Sequence, residues 1–266
     1  MTGIQWTEET WNPTTGCDRV SIGCDHCYAL TMARRLKGMG SAKYQRDGNP
    51  STSGPGFGLT MHEDALTIPL RWKKPRKVFV NSMSDLFHDG VSSAFLASVF
   101  DVMRQTPQHT YQILTKRHAR LRSVMKTAVP GERWPLPNVH LGVSVDDQKW
   151  ADLRIPALLE TPAAVRFLSC EPLLGPVNLR PYLNGLHWII VGGESGRGAR
   201  PMDLEWVRRI IEDCHDCDVP VFVKQLGSVW ARDWYIGGKP VGGKGDDIGT
   251  WPRELRVREW PTEAMA

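Results

Sequence analysis

The sequence predicts an α/β protein, a complete or partial TIM-type (β/α) barrel, on three observations. Short β-branched or aromatic runs alternate with amphipathic stretches, a rhythm that favours parallel strands joined by crossover helices. Nearly every run ends in polar or glycine-rich residues, as strands do when their C-terminal ends share one active-site mouth. At 266 residues, the chain is long enough for one large core, and residues 1–266 read as a single domain.

In chain order, a short strand precedes a cysteine-containing loop, and further strands fall at 77–81 (Lys-Val-Phe-Val-Asn), 111–115 (Tyr-Gln-Ile-Leu-Thr) and 139–143 (Val-His-Leu-Gly-Val). Three more follow at 165–169 (Val-Arg-Phe-Leu-Ser), 188–192 (Trp-Ile-Ile-Val-Gly) and 219–224 (Val-Pro-Val-Phe-Val-Lys). Residues 93–105, 116–127, 148–160 and 204–216 carry apolar side chains at three- and four-residue intervals, the helical period. A total of about seven strands favours a barrel over an open doubly wound sheet. The strand ends read Asn81-Ser-Met-Ser-Asp85, Thr115-Lys-Arg117, Gly142-Val-Ser144, Ser169-Cys-Glu171, Gly192-Gly-Glu-Ser-Gly196 and Lys224-Gln225. Some of these residues would also serve as turn formers and helix N-caps.

Two stretches break the rhythm. Residues 38–69 are too rich in Gly, Pro and Ser for regular structure and are expected to form a long loop beside the cysteines. Residues 227–266 mix tryptophan and glycine as an irregular extension, without a phosphate-binding P-loop pattern. No run approaches the roughly 20 apolar residues of a membrane helix, and the start lacks a basic and then apolar signal segment. A cytoplasmic protein without membrane contact is expected, and there the 6 cysteines would be metal ligands, reactive thiols or core residues rather than disulfides. A net charge of +4 and 11 tryptophans come with basic clusters at Arg71-Trp-Lys-Lys-Pro-Arg-Lys77, at Lys116-Arg117 with Arg120 and Arg122, and at Arg208-Arg209. Such groups hold phosphates and stack bases, or else form a solvated surface over buried aromatics.

The chemistry concentrates at Cys17, Cys24 and Cys27, in the run Trp11-Asn-Pro-Thr-Thr-Gly-Cys-Asp-Arg-Val-Ser-Ile-Gly-Cys-Asp-His-Cys-Tyr28. Three thiolates are one short of a closed tetrahedral zinc site. An iron–sulfur cluster with one iron left free is the leading reading. Zinc remains open if His26 or Cys170 supplies a fourth ligand. Cys214 and Cys217 form a second Cys-x-x-Cys at the end of an amphipathic helix, where packing is the better reading. His88 and His109 lack partners at metal-site spacing and receive no function.

These segments, together with Asn-Ser-Met-Ser-Asp-Leu-Phe-His, Gln-Ile-Leu-Thr-Lys-Arg, Leu-Gly-Val-Ser-Val, Phe-Leu-Ser-Cys-Glu-Pro-Leu-Leu-Gly-Pro and Val-Gly-Gly-Glu-Ser-Gly, resemble the three-Cys-motif phage protein family. That family is related to radical S-adenosylmethionine enzymes and is distantly similar to spore photoproduct lyases, which repair DNA. The resemblance runs from about residue 4 to residue 225. It implies a barrel of the radical S-adenosylmethionine kind, with a [4Fe–4S] cluster on Cys17, Cys24 and Cys27 whose free iron chelates S-adenosylmethionine and generates a 5′-deoxyadenosyl radical. Most enzymes of that class separate their cysteines by three and then two residues, whereas here six and then two intervene.

On that resemblance Ser82 and Ser84 lie by the methionine amine, and Lys116 and Ser144 meet the carboxylate or ribose. Gly192, Gly193 and Glu194 approach adenine or substrate. Cys170 would return a hydrogen atom to a product radical or, alternatively, pack in the core, while Glu171 would bind substrate or carry a proton. The expected activity is a radical enzyme acting on a macromolecule, with DNA or RNA as candidate substrate in repair or modification, and with a protein partner suggested by the family. The alternative is a non-catalytic nucleic-acid-binding protein with a structural zinc or iron–sulfur site.

Overall fold

The computed structural model describes residues 3–127 and 134–261; the end of the C-terminal extension, 262–266, lies outside the described residues. Seven parallel strands form one sheet in simple chain order: β1 (Glu9–Trp11), β2 (Lys77–Val80), β3 (Thr110–Thr115), β4 (Val139–Ser144), β5 (Val165–Cys170), β6 (Trp188–Gly192) and β7 (Val221–Gln225). No strand pairing joins β1 to β7 among the described residues, so the sheet is a partial barrel. The helices follow the predicted rhythm: α1 (Tyr28–Gly38), α2 (Ser93–Gln105), α3 (His118–Thr127), α4 (Gln148–Leu159) and α5 (Leu204–His215). Between β5 and β6 the connection carries only a short 3₁₀ turn at Arg180–Tyr182.

Helix starts are set locally. The Ser92 hydroxyl accepts from the Phe95 amide at α2, the Asp147 carboxylate from Trp150 at α4, and Asp203 from Glu205 at α5, each replacing a backbone partner that the first turn lacks.

Strand alternation sorts the side chains into two layers. Val78, Val80, Ile113, Leu141, Val143, Leu168, Ile189, Val191 and Val223 face the helices and make the main core. On the concave side, Phe79, Phe167, Trp188, Ile190 and Phe222 close around Trp6 from the N-terminal segment. Their rings meet edge-on or tilted, Trp6 to Phe79 at 4.7 Å and Trp6 to Trp188 at 6.1 Å, which suits aromatic quadrupoles. Trp6 and Phe79 of this plug also line a cavity whose other walls are the C-terminal ends of the strands.

The extension is more ordered than its composition suggests. It contains a helical turn at Ser228–Asp233 and a hairpin pairing Tyr235–Ile236 with Lys239–Pro240. Residues 257–259 bond along the outer edge of β7, which covers an otherwise open strand edge. The 38–69 stretch likewise holds short elements, among them Thr60–Met61 paired with Thr14–Thr15 beside the cysteine loop. The tryptophans split: Trp11, Trp188 and Trp251 are core, while Trp234 and Trp260 are exposed. Among the described residues no helix is long and apolar enough to cross a membrane.

His140 sits on the concave face beside Gln112, buried, with Nδ1 unpartnered. Burial, then the charges of His187 and Lys77, push its imidazole down to about 4. Because the folded-state value lies below the unfolded one, the unfolded chain binds more protons between pH 6.5 and 4. Stability is therefore full above about pH 6.5 and falls as pH drops through that window, by about 3 kcal/mol at most. Denaturant titrations of wild type and His140→Gln across pH 4–7 are expected to differ by this slope.

Candidate functional site

The thiols of Cys17, Cys24 and Cys27 open onto one cavity of about 260 Å³ at the C-terminal mouth of the barrel, and none is in a disulfide. Local backbone makes this possible. Gly16 has a φ of +86°, and a Cβ there would lie 2.4 Å from the Gly58 carbonyl, so only glycine lets the chain turn this close to the neighbouring loop. Ile22–Cys24 form a 3₁₀ turn, and Cys27 is the N-cap of α1. Burial pushes the Cys17 thiol up to about 12, and burial raises Cys27 against the pull of the Ala29 and Leu30 amides.

The loop is fixed at three points. Asp18 accepts from Thr52, from Ser53 at 3.0 Å and from His88 Nε2 at 2.9 Å; burial opposes its charge, but these bonds hold the carboxyl below its usual range. Further along, Asp146 accepts from Ser21 Oγ, from Lys116 Nζ at 2.9 Å and from Arg154 Nη1 at 3.3 Å. It also packs on Gly23, where a Cβ would lie 2.2 Å from Oδ1. At the opposite side, Arg200 donates to Glu194 from its backbone N at 2.8 Å, Nε at 2.9 Å and Nη2 at 2.6 Å, and from Nη2 to the Ile22 carbonyl at 2.9 Å. His26 Nδ1 lies 3.0 Å from the same carboxylate.

For Glu194 burial again opposes the charge, and the bonds from Arg200 and His26 outweigh it, so the carboxyl stays below its usual range.

The walls are the strand ends. Ser82, Ser84, Lys116, Ser144, Ser169, Glu171, Gly193, Glu194 and Lys224 all line the cavity. Several have partners of their own. Ser82 Oγ donates to Asn12 Oδ1 at 3.2 Å, and Ser84 Oγ to the Thr14 carbonyl at 2.8 Å. Lys116 is directed to Asp146, and Glu194 towards the cysteine loop. Ser144 is buried at the wall, its carbonyl accepting from Arg154. Glu171 accepts from Lys224 Nζ at 2.6 Å and from Gln225 Nε2 at 3.3 Å. Gly192 lies behind this pair, where a Cβ would come within 3.4 Å of Glu171.

Cys170 is placed differently from the mouth position expected of a strand end. It is fully buried in the main core and shares the helix-facing side of β5 with Leu168, while Phe167 and Ser169 take the concave side. Period-two alternation is the reason. Cys214 is also buried and Cys217 is exposed. Asp146, Arg154 and Arg200 have no place among the residues expected from the sequence, and Lys224 was expected only as a polar strand end.

Three cysteine sulfurs are the donor type that an iron–sulfur cluster takes. Three thiols outside any disulfide line one space; at Cys17 burial and the Asp85 carboxylate outweigh Arg117, and at Cys27 burial outweighs Lys116. Among the described residues no three His, Cys, Asp or Glu side chains draw together closely enough to hold a metal ion.

A family model described as protein of unknown function (DUF5131) matches residues 1–253. No curated protein matches the chain. Among solved structures the chain is similar to a spore photoproduct lyase variant, with a TM-score of 0.44 at 11% identity over 83% of this chain and 56% of that one. Spore photoproduct lyase complexed with dinucleoside spore photoproduct gives 0.42 at 12% identity over 76% and 59%. The chain thus spans less than two thirds of the length of these structures.

Asp146→Asn leaves Lys116 and Arg154 without their carboxylate, which is expected to cost about 3–5 kcal/mol by chemical denaturation. Burial opposes the Asp146 charge, but Lys116, Ser21 and Arg154 together keep its carboxyl below the usual value near 3.8. Its contribution is therefore present above about pH 4 and lost as pH falls lower, an acid limb that the Asn variant lacks.

Proposed function

The chain belongs to the family described as protein of unknown function (DUF5131), and we propose that it is an iron–sulfur enzyme of the radical S-adenosylmethionine type that modifies or repairs nucleic acid. The observation that carries this reading is the convergence of three free thiols on one cavity at the C-terminal mouth of a parallel partial barrel, where such folds place their chemistry. Cys17, Cys24 and Cys27 would hold a [4Fe–4S] cluster. When bound, that cluster supplies the electron for reductive cleavage of S-adenosylmethionine.

The remaining roles belong to the chain's own groups. Ser82, Ser84 and Ser144 offer hydroxyls to the polar end of S-adenosylmethionine, while Gly193 is glycine because a Cβ there would lie 2.6 Å from the Leu226 carbonyl. Lys116 acts through Asp146, and Glu194 through Arg200 and His26, to keep the cysteine loop in place. The Glu171–Lys224 pair can accept and donate hydrogen bonds on the cavity wall and is suited to hold a proton near substrate. Below it, Ile4, Trp6, Phe79 and Leu114 form an apolar floor that excludes water from a reactive site. Exposed Arg19 and Tyr28 at the cavity edge support a nucleic-acid substrate, one offering charge to phosphate and the other a ring to a base. Cys170, packed in the core, has no part in this scheme.

Anaerobic purification and metal analysis test it. About four irons and four sulfides per chain are expected, lost in Cys17→Ala, Cys24→Ala or Cys27→Ala and kept in Cys170→Ala. Incubation with S-adenosylmethionine and dithionite is expected to yield 5′-deoxyadenosine; one zinc and no iron would sink the proposal.

A further inference from the structure

Behind the cysteine loop two cations share one carboxylate. Lys116 and Arg154 both reach Asp146, and Arg154 and Asp146 are each fully buried. Arg154 Nη1 also donates to the Ser144 carbonyl at 2.9 Å, but Nε and Nη2 have no hydrogen-bond partner. A buried guanidinium with unmet N–H groups is costly, and native cores seldom retain one without a use.

The arrangement is not loose. The guanidinium lies over the Trp150 ring at 3.9 Å, which fixes its plane. Asp85, the nearby second carboxylate, is taken by Thr115 Oγ1, by the Lys116 amide and by the Phe87 amide, so it does not reach the unmet groups. Arg154 does not line the cavity, which excludes a direct contact with a small ligand there.

Across Asp146 from Arg154 is the turn that carries Cys24. Its neighbour Gly23 packs on Asp146, and Ser21 Oγ, which donates to Asp146, is 3.8 Å from Cys24 Sγ. Burial works against the guanidinium charge, while Asp146, Cys24 and Asp85 work for it. Arg154, a buried guanidinium with two donor groups unmet, is thus joined to the Cys24 turn through Asp146.

We propose that Arg154 is the counter-charge to an anionic iron–sulfur centre at Cys24, a positioning residue that favours the reduced, more negative state. The inference rests on the cluster reading above. Cluster potentials follow local net charge and hydrogen bonding, so deleting this cation makes reduction harder. A role confined to folding would leave the potential unmoved.

The test compares wild type, Arg154→Met, Arg154→Gln and Arg154→Lys after anaerobic reconstitution, by iron content, by EPR-monitored redox titration and by thermal melting of the metal-free chains. In the two neutral variants the reduction equilibrium is expected to fall at least tenfold, about 59 mV for a one-electron couple, with Arg154→Lys returning most of it. A neutral variant that melts like wild type yet fails to keep iron, while the lysine variant keeps it, supports the same conclusion. A loaded neutral variant with an unchanged potential overturns the inference alone, as does a lysine variant impaired as much as the neutral ones. A wild-type chain that takes up no iron overturns this inference and the cluster reading together.

Discussion

Asp146 lies fully buried just beyond the end of β4, and a charge so placed persists only where other groups replace its water shell. Those groups come from three separate parts of the chain: Ser21 and Gly23 from the cysteine loop, Lys116 from the end of β3, and Arg154 from α4. The carboxylate thereby joins the barrel wall to the loop that carries the chemistry. Without it the loop would keep only its ties at Asp18 and at Arg200, neither of which reaches the end of β4. With it, the strand register that sets β4 also sets the height of Cys24 above the barrel floor.

The barrel was legible because its signals are periodic. Runs such as Val-Arg-Phe-Leu-Ser and Trp-Ile-Ile-Val-Gly are apolar on both faces, the mark of strands covered on two sides, and 93–105 was bounded correctly from its helical period. The face on which a given strand end lies was harder to read. Phe167 and Leu168 are both apolar, so nothing in the strand itself says which of Ser169 and Cys170 faces the mouth. The concave aromatic plug decides it by drawing Phe167 inward, and that plug exists only once Trp6, Trp188 and Phe222 are brought together from distant positions.

Asp146 was hidden for a different reason. In the run Ser144-Val-Asp-Asp147 the second aspartate is the N-cap of α4, and the first looks like another turn residue of the same kind. Its partners are separated from it by up to 125 positions, and single-sequence reasoning has no access to pairings at that distance. The same holds for Arg200 at Ile22 and for Lys224 at Glu171. Residue type announced that these strand ends were polar; only topology could say which polar groups neutralise one another and which remain available to a ligand.

The six-residue separation of Cys17 and Cys24 acquires a physical meaning from these pairings. A longer gap adds chain entropy to be overcome when the sulfurs are brought to one place. Here the gap is anchored along its length: Asp18 is held by Thr52, Ser53 and His88, Ser21 by Asp146, and the Ile22 carbonyl by Arg200. Before it, Gly16 forms an isolated bridge with Ser84; after it, Cys27 caps the start of a helix. Each anchor belongs to a different element of the barrel or of the 38–69 stretch. Asp18, Ser21 and Ile22 in the gap therefore serve as tie points that set Cys17 and Cys24 relative to each other and to the barrel.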